Sequence, residues 1–370
     1  MSEIKELIER LCPDGVEYKK LGDILDYEQP SKYIVTSTDY VEKGVPVLTA
    51  GQSFILGYTE EENGIFEASK EAPVIIFDDF TTSFHWVTFN FKVKSSAMKM
   101  LRPRKEDVDF RFVFYAMKCI KYETMDHARQ WISKYSLLEI PVPPIEVQRK
   151  IVEILDNFTE LETELKAELE ARRKQYEYYR NQLLTFDKVG GARFDVKWMT
   201  LGEIAEIGTG SSNTNEELEK GKYPFFVRSQ VVRYKNEYEY DETAIITSGD
   251  GVGVGKVFHY VEGKYALHQR AYRIKMNNDN VNSKFFYYYM RTTFYNYIMK
   301  NAYSSSVTSV RRPMLIKFPV PIPPLSEQQR IVDILDRFEA LTTDLQSGLP
   351  AEIEARRKQY EYYREKLLTF

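Results

Sequence analysis

The sequence predicts an α+β protein: two pseudo-repeated lobes of mixed short strands and helices, separated by two long antiparallel coiled-coil-like helices. Three observations predict it. Residues 171–186 (ARRKQYEYYRNQLLTF) and 355–370 (ARRKQYEYYREKLLTF) are identical at fourteen of sixteen positions. Residues 143–158 (PPIEVQRKIVEILDNF) and 323–338 (PPLSEQQRIVDILDRF) agree at nine of sixteen. A weaker echo opens each half, residues 16–24 (VEYKKLGDI) against 196–204 (VKWMTLGEI). The 370-residue chain is therefore a tandem duplication with a period near 180 residues, too long for a solenoid repeat. Each copy is a domain plus its connecting helix. The expected segments are 1–142 (first lobe), 143–188 (first helix), 189–322 (second lobe) and 323–370 (second helix).

Taken in order, the first lobe carries strand-like runs at 73–77 and 86–94 and a Phe-rich helical run at 110–122. After Pro143-Pro144, apolar and Tyr residues fall at 151, 155, 158, 161, 165, 169, 176, 179 and 183. Spacings of three and four define an amphipathic helix. Within it, TELE, TELK and AELE repeat in units of four over 159–170, each adding about 6 Å and about 40° of rotation. The second lobe offers strands at 244–247 and 271–276 and a Tyr-rich helix at 283–300. The second long helix runs through Ile331, Leu335, Phe338, Leu341 and Leu345. It breaks at Ser347-Gly348-Leu349-Pro350, since Gly ends helices and Pro opens them. A long apolar stripe needs a partner, and the sister copy is the obvious one. Tyr176, Tyr178 and Tyr179 span more than one helix face, which points to contacts beyond the sister helix, with a domain or with another chain. The lobes between the repeated ends show no convincing alignment. Shared ends and unlike middles indicate one common task and two separate ones.

Composition excludes several classes. Hydrophobic residues make up 43% and charged residues 29%, as in globular proteins rather than disordered ones. No apolar run approaches the ~18–20 residues of a membrane helix, and Met1–Glu6 carries no apolar signal core. Cys12 and Cys119 form no framework, so a reducing cytosol is the expected compartment. Net charge is −4, but it is segregated: residues 14–140 sum to −4 and residues 196–320 to +5. Lys92, Lys94, Lys99, Arg102, Arg104 and Lys105 form one basic run, and Arg311-Arg312 follow a Ser/Thr-rich stretch. Bases beside hydroxyls and aromatics suit phosphate contact.

Catalytic motifs fail. Residues 249–256 (GDGVGVGK) miss the phosphate-loop spacing and read as a glycine-rich turn between strands. Asp250 with Glu262 is a chance-level nuclease pattern. His85, His127, His259 and His268 lack metal-ligand spacing. Neither Pro-Pro pair is preceded by the Asn or Asp that amino-methylating DNA enzymes place there.

Alternating variable lobes and near-identical helices, joined by Pro-Pro-x-x-x-Gln and then Ile-Val-x-Ile-Leu-Asp, resemble the specificity (S) subunit of type I restriction–modification systems. The resemblance covers essentially the whole chain. It is strongest over 141–186 and 319–370 and is supported by Pro13-Asp14-Gly15-Val16 and Leu21-Gly22-Asp23-Ile24. It implies that each lobe is a target recognition domain reading one half of a bipartite, asymmetric double-stranded DNA target with a fixed gap. The helices would space the lobes and dock two modification subunits, and the four-residue repeats would set the gap. The chain would be non-catalytic and hold no cofactor. S-adenosylmethionine, ATP and Mg²⁺ would sit on the modification and restriction subunits, whose complex methylates adenine N6 and cleaves DNA. The break at Ser347-Gly348-Leu349-Pro350 is a departure from equal spacers.

The resemblance directs attention to the loop before each Pro-Pro pair. Expected DNA contacts in the first lobe are Thr81, Thr82, Ser83, Lys92, Lys94, His127, Arg129, Gln130 and Lys134. Those in the second are His268, Gln269, Arg270, Ser305, Ser306, Thr308, Arg311 and Arg312. Arg suits guanine edges and Gln adenine edges. Tyr176, Tyr178, Tyr179, Tyr360, Tyr362 and Tyr363 are the expected subunit contacts. The competing reading is a coiled-coil scaffold whose lobes bind protein or glycan, which predicts no salt-dependent DNA affinity.

Overall fold

A computed structural model describes residues 2–51, 53–104, 107–124, 128–186, 196–301, 309–344 and 347–370. The chain forms two compact units, Met1–Leu165 with Ile353–Phe370, and Lys166–Glu352. The first unit thus takes its last helical piece from a distant part of the sequence, whereas the second is one continuous stretch.

The first unit runs α1 (Ser2–Leu11), β1 (Tyr18–Lys20), α2 (Leu21–Ile24), β2 (Leu25–Glu28), β3 (Val45–Leu48), β4 (Ile55–Thr59), β5 (Val74–Asp78), β6 (Phe84–Val87), β7 (Lys92–Val93), β8 (Met98–Pro103), α3 (Phe110–Met117), β9 (Glu139–Pro141) and the 39-residue α4 (Ile145–Leu183), which continues past this unit. One antiparallel sheet has the order β2-β8-β5-β6. A second has the order β4-β3-β7, with β3 and β7 parallel. The strand expected at 86–94 is thus two strands in two sheets, broken at residues 88–91. The helix expected at 110–122 ends at Met117.

The second unit contains β10 (Lys197–Thr200), α5 (Leu201–Ile204), β11 (Ala205–Thr209), β12 (Tyr223–Phe226), β13 (Arg233–Lys235), β14 (Tyr240–Ser248), β15 (Phe258–Leu267), β16 (Ala271–Met276), α6 (Ser283–Lys300), α7 (Arg312–Ile316), β17 (Pro319–Ile322) and α8 (Leu325–Thr343). Then α9 (Leu349–Leu368) begins here and ends in the first unit. The sheet order is β11-β16-β14-β15-β12-β13, with β12 and β15 parallel. Its first four strands repeat β2-β8-β5-β6, and β13-β12-β15 repeats β4-β3-β7. The two lobes therefore share one topology that their sequences conceal. The helix at 283–300 and the break between α8 and α9 stand where the sequence places them.

The opening echo closes each lobe. Strand β1 pairs antiparallel with β9, and β10 with β17, so the start of each lobe is tied to the residues leading into its Pro-Pro pair. The backbone then makes the same turn twice. Leu21 N–H donates to Leu138 O at 2.9 Å and Leu201 N–H to Phe318 O at 2.8 Å. The Gly after each leucine allows close approach: a Cβ on Gly202 would sit 2.7 Å from Ile316 Cγ2, and one on Gly22 3.2 Å from Ser136 O.

The Pro-Pro-x-x-x-Gln motif forms a joint between lobe and helix. Gln148 is buried; its Oε1 accepts from Asp109 N–H at 2.8 Å and its Nε2 donates to Pro143 O at 2.7 Å. Gln328 does the same with Asn282 N–H (2.8 Å) and Pro323 O (2.7 Å), and adds Asn280 O (2.8 Å). Asp109 and Asn282 are the N-caps of α3 and α6, each accepting two first-turn amides. Two residues past each cap, Arg111 and Lys284 pair with Asp156 and Asp336 of the long helices, each at 2.8 Å. Six past each cap, Tyr115 and Tyr288 donate to the same two aspartates.

The near-identical helical ends are also buried alike. Tyr176 and Leu184 of the first copy belong to the second unit's core, with Phe285, Phe294 and Leu335. Tyr360, Leu367 and Leu368 of the second copy belong to the first unit's core, with Val147, Ile151, Leu155 and Trp131. Burying each such aliphatic chain contributes about 1.5–3 kcal/mol. In the first unit Phe158 of α4 stacks on Tyr363 of α9; in the second, Tyr176 and Tyr179 of α4 pack on Phe338 of α8. Within each unit, an early part of one spacer therefore meets a late part of the other, as antiparallel helices require.

Candidate nucleic-acid interface

In each lobe the turn between the third and fourth sheet strands is held by the segment preceding the Pro-Pro pair. In the first lobe this is the β5–β6 turn. Asp78 Oδ1 accepts from Phe80 N–H (2.8 Å) and Thr81 N–H (2.9 Å), shaping it. Thr82 adopts φ 58°, uncommon for a β-branched residue. Thr81 and Ser83 share a 2.6 Å hydroxyl contact. Asp79 is 1% exposed and anchors the neighbouring segment: Gln130 N–H donates to its carbonyl and Trp131 N–H to its carboxylate, both at 2.8 Å. The same carboxylate pairs with buried Lys99 (3.1 Å) and with Arg129 (3.4 Å). Arg129 remains 48% exposed, its guanidinium 5.8 Å from the centroid of exposed Phe80.

The second lobe repeats this arrangement at the β14–β15 turn. Val310 N–H donates to Gly249 O (2.8 Å) and Asp250 bridges Ser309. Asp250 Oδ1 accepts from Arg228 at 2.7 Å and Oδ2 from Arg270 at 3.1 Å. Burial pushes this carboxyl's pKa up, but the two guanidinia outweigh it and hold it below the ordinary aspartate value. His268 is buried, and its Nδ1 accepts from Arg270 N–H at 3.0 Å. Burial first, then Arg228, lower its pKa and favour the neutral ring. Gln269 donates to Asn213, and Asn213, Thr214, Asn215, Arg228, His268, Gln269 and Arg270 line one concavity. A second lies beside it around Arg233, Asp250, Gly251 and Val252. Val252 is 98% exposed at the tip of the turn.

The expected residues sort as follows. Thr81, Thr82 and Ser83 are brought beside Arg129, and His268, Gln269 and Arg270 beside the loop that precedes α7. Lys94 is exposed on the first lobe, Lys134 is half-buried, and Arg311 and Arg312 are exposed at the start of α7. His127, Ser305, Ser306 and Thr308 lie outside the described residues. Two expectations need correcting. Lys92 is 3% exposed and bonded to Glu61 (2.9 Å) and Asn63 O (2.6 Å), because the pairing of β7 with β3 turns its side chain into the lobe. Gln130 is fully buried, accepting from Tyr122 at 2.8 Å and donating to Ala128 O at 2.6 Å. Both serve the fold. The basic run from Lys92 disperses likewise: Lys99 is interior, Arg102 lies over Phe66, and Arg104 pairs with Asp26.

Among the tyrosines, Tyr176 and Tyr360 are core residues rather than surface ones, each under an arginine (Arg180 and Arg364) at 5.4 Å. Tyr178, Tyr179 and Tyr362 are exposed, and Tyr363 is half-buried. The sequence did not single out Arg228 or Asp79. The first is an isolated base between strands and the second an unremarked acid, and only strand pairing brings them to the turns.

The profile of the type I restriction modification DNA specificity domain matches residues 13–171 and 195–355, one copy per lobe with its helix. The chain belongs to the type I specificity subunits. This specificity subunit is 40% identical over 403 residues to the Escherichia coli type I restriction enzyme EcoR124I/EcoR124II specificity subunit, covering 100% of this chain and 98% of that one. It is 28% identical, over the full length of both, to a putative Haemophilus influenzae specificity subunit. Its fold resembles the crystal structure of the type I S subunit from M. genitalium (TM-score 0.62, 18% identity, 96% and 97% coverage). It also resembles a chain solved in work on type I R-M complex assembly and conformational transition (TM-score 0.59, 15% identity, 96% and 98% coverage). Membership in this family makes DNA target recognition the business of the two lobes. Asp250 and Glu262, weighed from sequence as nuclease carboxylates, are engaged otherwise: Asp250 by two arginines and Glu262 by the Tyr260 hydroxyl at 2.9 Å. Among the described residues, no His, Cys, Asp and Glu group could hold a metal ion, and no helix is long and apolar enough to cross a membrane.

Proposed function

We propose that this chain reads a bipartite, asymmetric DNA sequence with a fixed gap and docks two modification subunits, to which restriction subunits add. The observation that carries the proposal is the repeated joint. Two lobes of one topology, with different side chains on their turns, are fixed by the same buried glutamine and the same half-exposed aspartate to near-identical helices. A duplicated scaffold carrying diverged reading heads suits two unlike half-sites, as a dimer on DNA suits two like ones. Phosphate contacts position each lobe, and side chains reaching base edges specify the sequence. The TELE-TELK-AELE run, residues 159–170 of α4, sets the gap; most of its side chains are exposed, and Leu169 alone in it is buried. Tyr178, Tyr179 and Tyr362 offer aromatic surface for the modification subunits. The chain is non-catalytic and works in the cytoplasm. S-adenosylmethionine, ATP and Mg²⁺ belong to its partners.

Co-purification with the modification subunit of the same system tests this. The expected product is one chain with two modification subunits, whose DNA affinity falls steeply as salt rises. A chain that forms no such complex and shows no salt-dependent DNA binding contradicts the proposal.

A further inference from the structure

We infer that Asp250 is a positioning residue that clamps Arg228 and Arg270 into a fork reading guanine in the half-site of the second lobe. The inference rests on the DNA-reading role proposed above and names the chemistry of its second head. Three observations support it.

The geometry is that of a shared carboxylate. Each oxygen of Asp250 takes one donor from a different arginine, at 2.7 Å and 3.1 Å. A guanidinium has five N–H donors in a rigid plane, so each arginine keeps most of its donors after this bond. Arg270 is 62% exposed and Arg228 39%, whereas Asp250 is 26% exposed. The carboxylate therefore sits behind the cations and does not cover them.

The clamp is anchored to the frame. Asp250 lies where the segment before α7 bridges the turn, its carbonyl accepts from Ser248 Oγ at 2.7 Å, and Gly249 N–H donates to Arg270 O at 2.9 Å. A long, flexible side chain loses rotamer freedom when it binds, and holding it beforehand reduces that cost. The electrostatics agree: the concavity lined by Arg228, His268, Gln269 and Arg270 has two guanidinia and no carboxylate in its lining, and burial and then Arg228 lower the pKa of His268, so the positive charge there is that of the fork.

The arrangement recurs in the first lobe. Buried Asp79, at the β5–β6 turn, pairs with exposed Arg129 and is bridged by the segment before the Pro-Pro pair. The two lobes share little sequence here, so a carboxylate-backed arginine at the same turn of both points to use rather than descent alone. Guanine presents O6 and N7 as a paired acceptor edge in the major groove, which a guanidinium meets with two parallel donors. A phosphate oxygen pair offers similar acceptors, and the test separates the two.

The test uses the complex with its modification subunits and a pool of duplexes randomised through both half-sites, scored by adenine methylation. For Asp250→Asn, which keeps an acceptor near the arginines but removes the charge, and for Arg270→Ala, the wild-type preference for guanine at one base pair of one half-site relaxes about tenfold or more. The other half-site and the gap stay fixed, and this unchanged reading doubles as the check that the variants fold and assemble. Uniform weakening over all sequences, with a shallower salt dependence, would mean that the fork holds phosphate and would overturn the inference. So would an unchanged preference. A wild-type complex that methylates no two-part motif would instead overturn the underlying DNA-reading proposal, and the inference with it.

Discussion

Replacing Gln328 by Met tests whether the motif glutamine is a joint or merely filler. Methionine matches glutamine in length but neither donates nor accepts usefully. Three groups lose their partner: the Pro323 carbonyl, the Asn282 amide and the Asn280 carbonyl, now bonded at 2.7, 2.8 and 2.8 Å. An unsatisfied buried group costs about 1–3 kcal/mol. The Pro323 contact is fully buried and takes about 2 of that range; the other two are partly open to water and take about 1 each. The sum is roughly 4 kcal/mol, a large share of a domain's stability. Gln148→Met removes only two contacts, to Pro143 and Asp109, and costs roughly 3 kcal/mol. A chain with two units has no single unfolding free energy, so the assay must be local. Amide hydrogen exchange reads it at Lys284 and Phe285, capped by Asn282, and at Arg111 and Phe112, capped by Asp109. Gln328→Met should accelerate exchange in the first turn of α6 by up to about a thousandfold and leave that of α3 unchanged. Gln148→Met should do the converse with a smaller factor. A change below about fivefold, or equal loosening of both turns, refutes the joint.

Deleting residues 163–166 shortens α4 by about 6 Å and should change the gap while preserving both half-sites; methylome sequencing that shows an unchanged gap removes the spacer role from this run. Exchanging residues 196–320 for the matching lobe of another specificity subunit should replace one half-site alone, and replacement of both would refute modular reading. The Glu61 carboxyl is held down at about 2, first by the Thr36 hydroxyl and then by Lys92, against an ordinary 4.5. Because the folded value is depressed, its stabilisation is complete above the ordinary value and fades as pH falls from about 4.5 toward about 2. Glu61→Gln should therefore flatten the acid limb of first-unit stability, and an unchanged slope in a pH series of denaturation curves contradicts this.

The parts legible in the sequence are those where side chains repeat. The near-identical helical ends, the break before α9 and the closing echo all reuse the same residues, so identity reveals them. The lobes are different. Helices α3 and α6 occupy one role, with cap, basic residue and tyrosine at matched positions, yet Asp109 and Asn282 are 173 residues apart where the long helices are offset by 180. A sheet needs only burial in register, which Val74–Asp78 and Tyr240–Ser248 satisfy with different residues. Topology thus survives where alignment fails. Site residues were misplaced for a related reason. Lys92 and Gln130 look solvent-facing by type, and only strand pairing and the Asp79 anchor turn them inward. Asp250 stood out in the sequence only as a chance nuclease match, and its arginine partners were not legible there, since the one that answers it most closely lies 22 residues away.

The most direct test of the account is to co-express the chain with its modification subunit and map adenine methylation across the host DNA. The account predicts one two-part methylated motif, its halves unlike and its gap constant. A single contiguous motif, or a stable complex with methylation that ignores spacing, would contradict it.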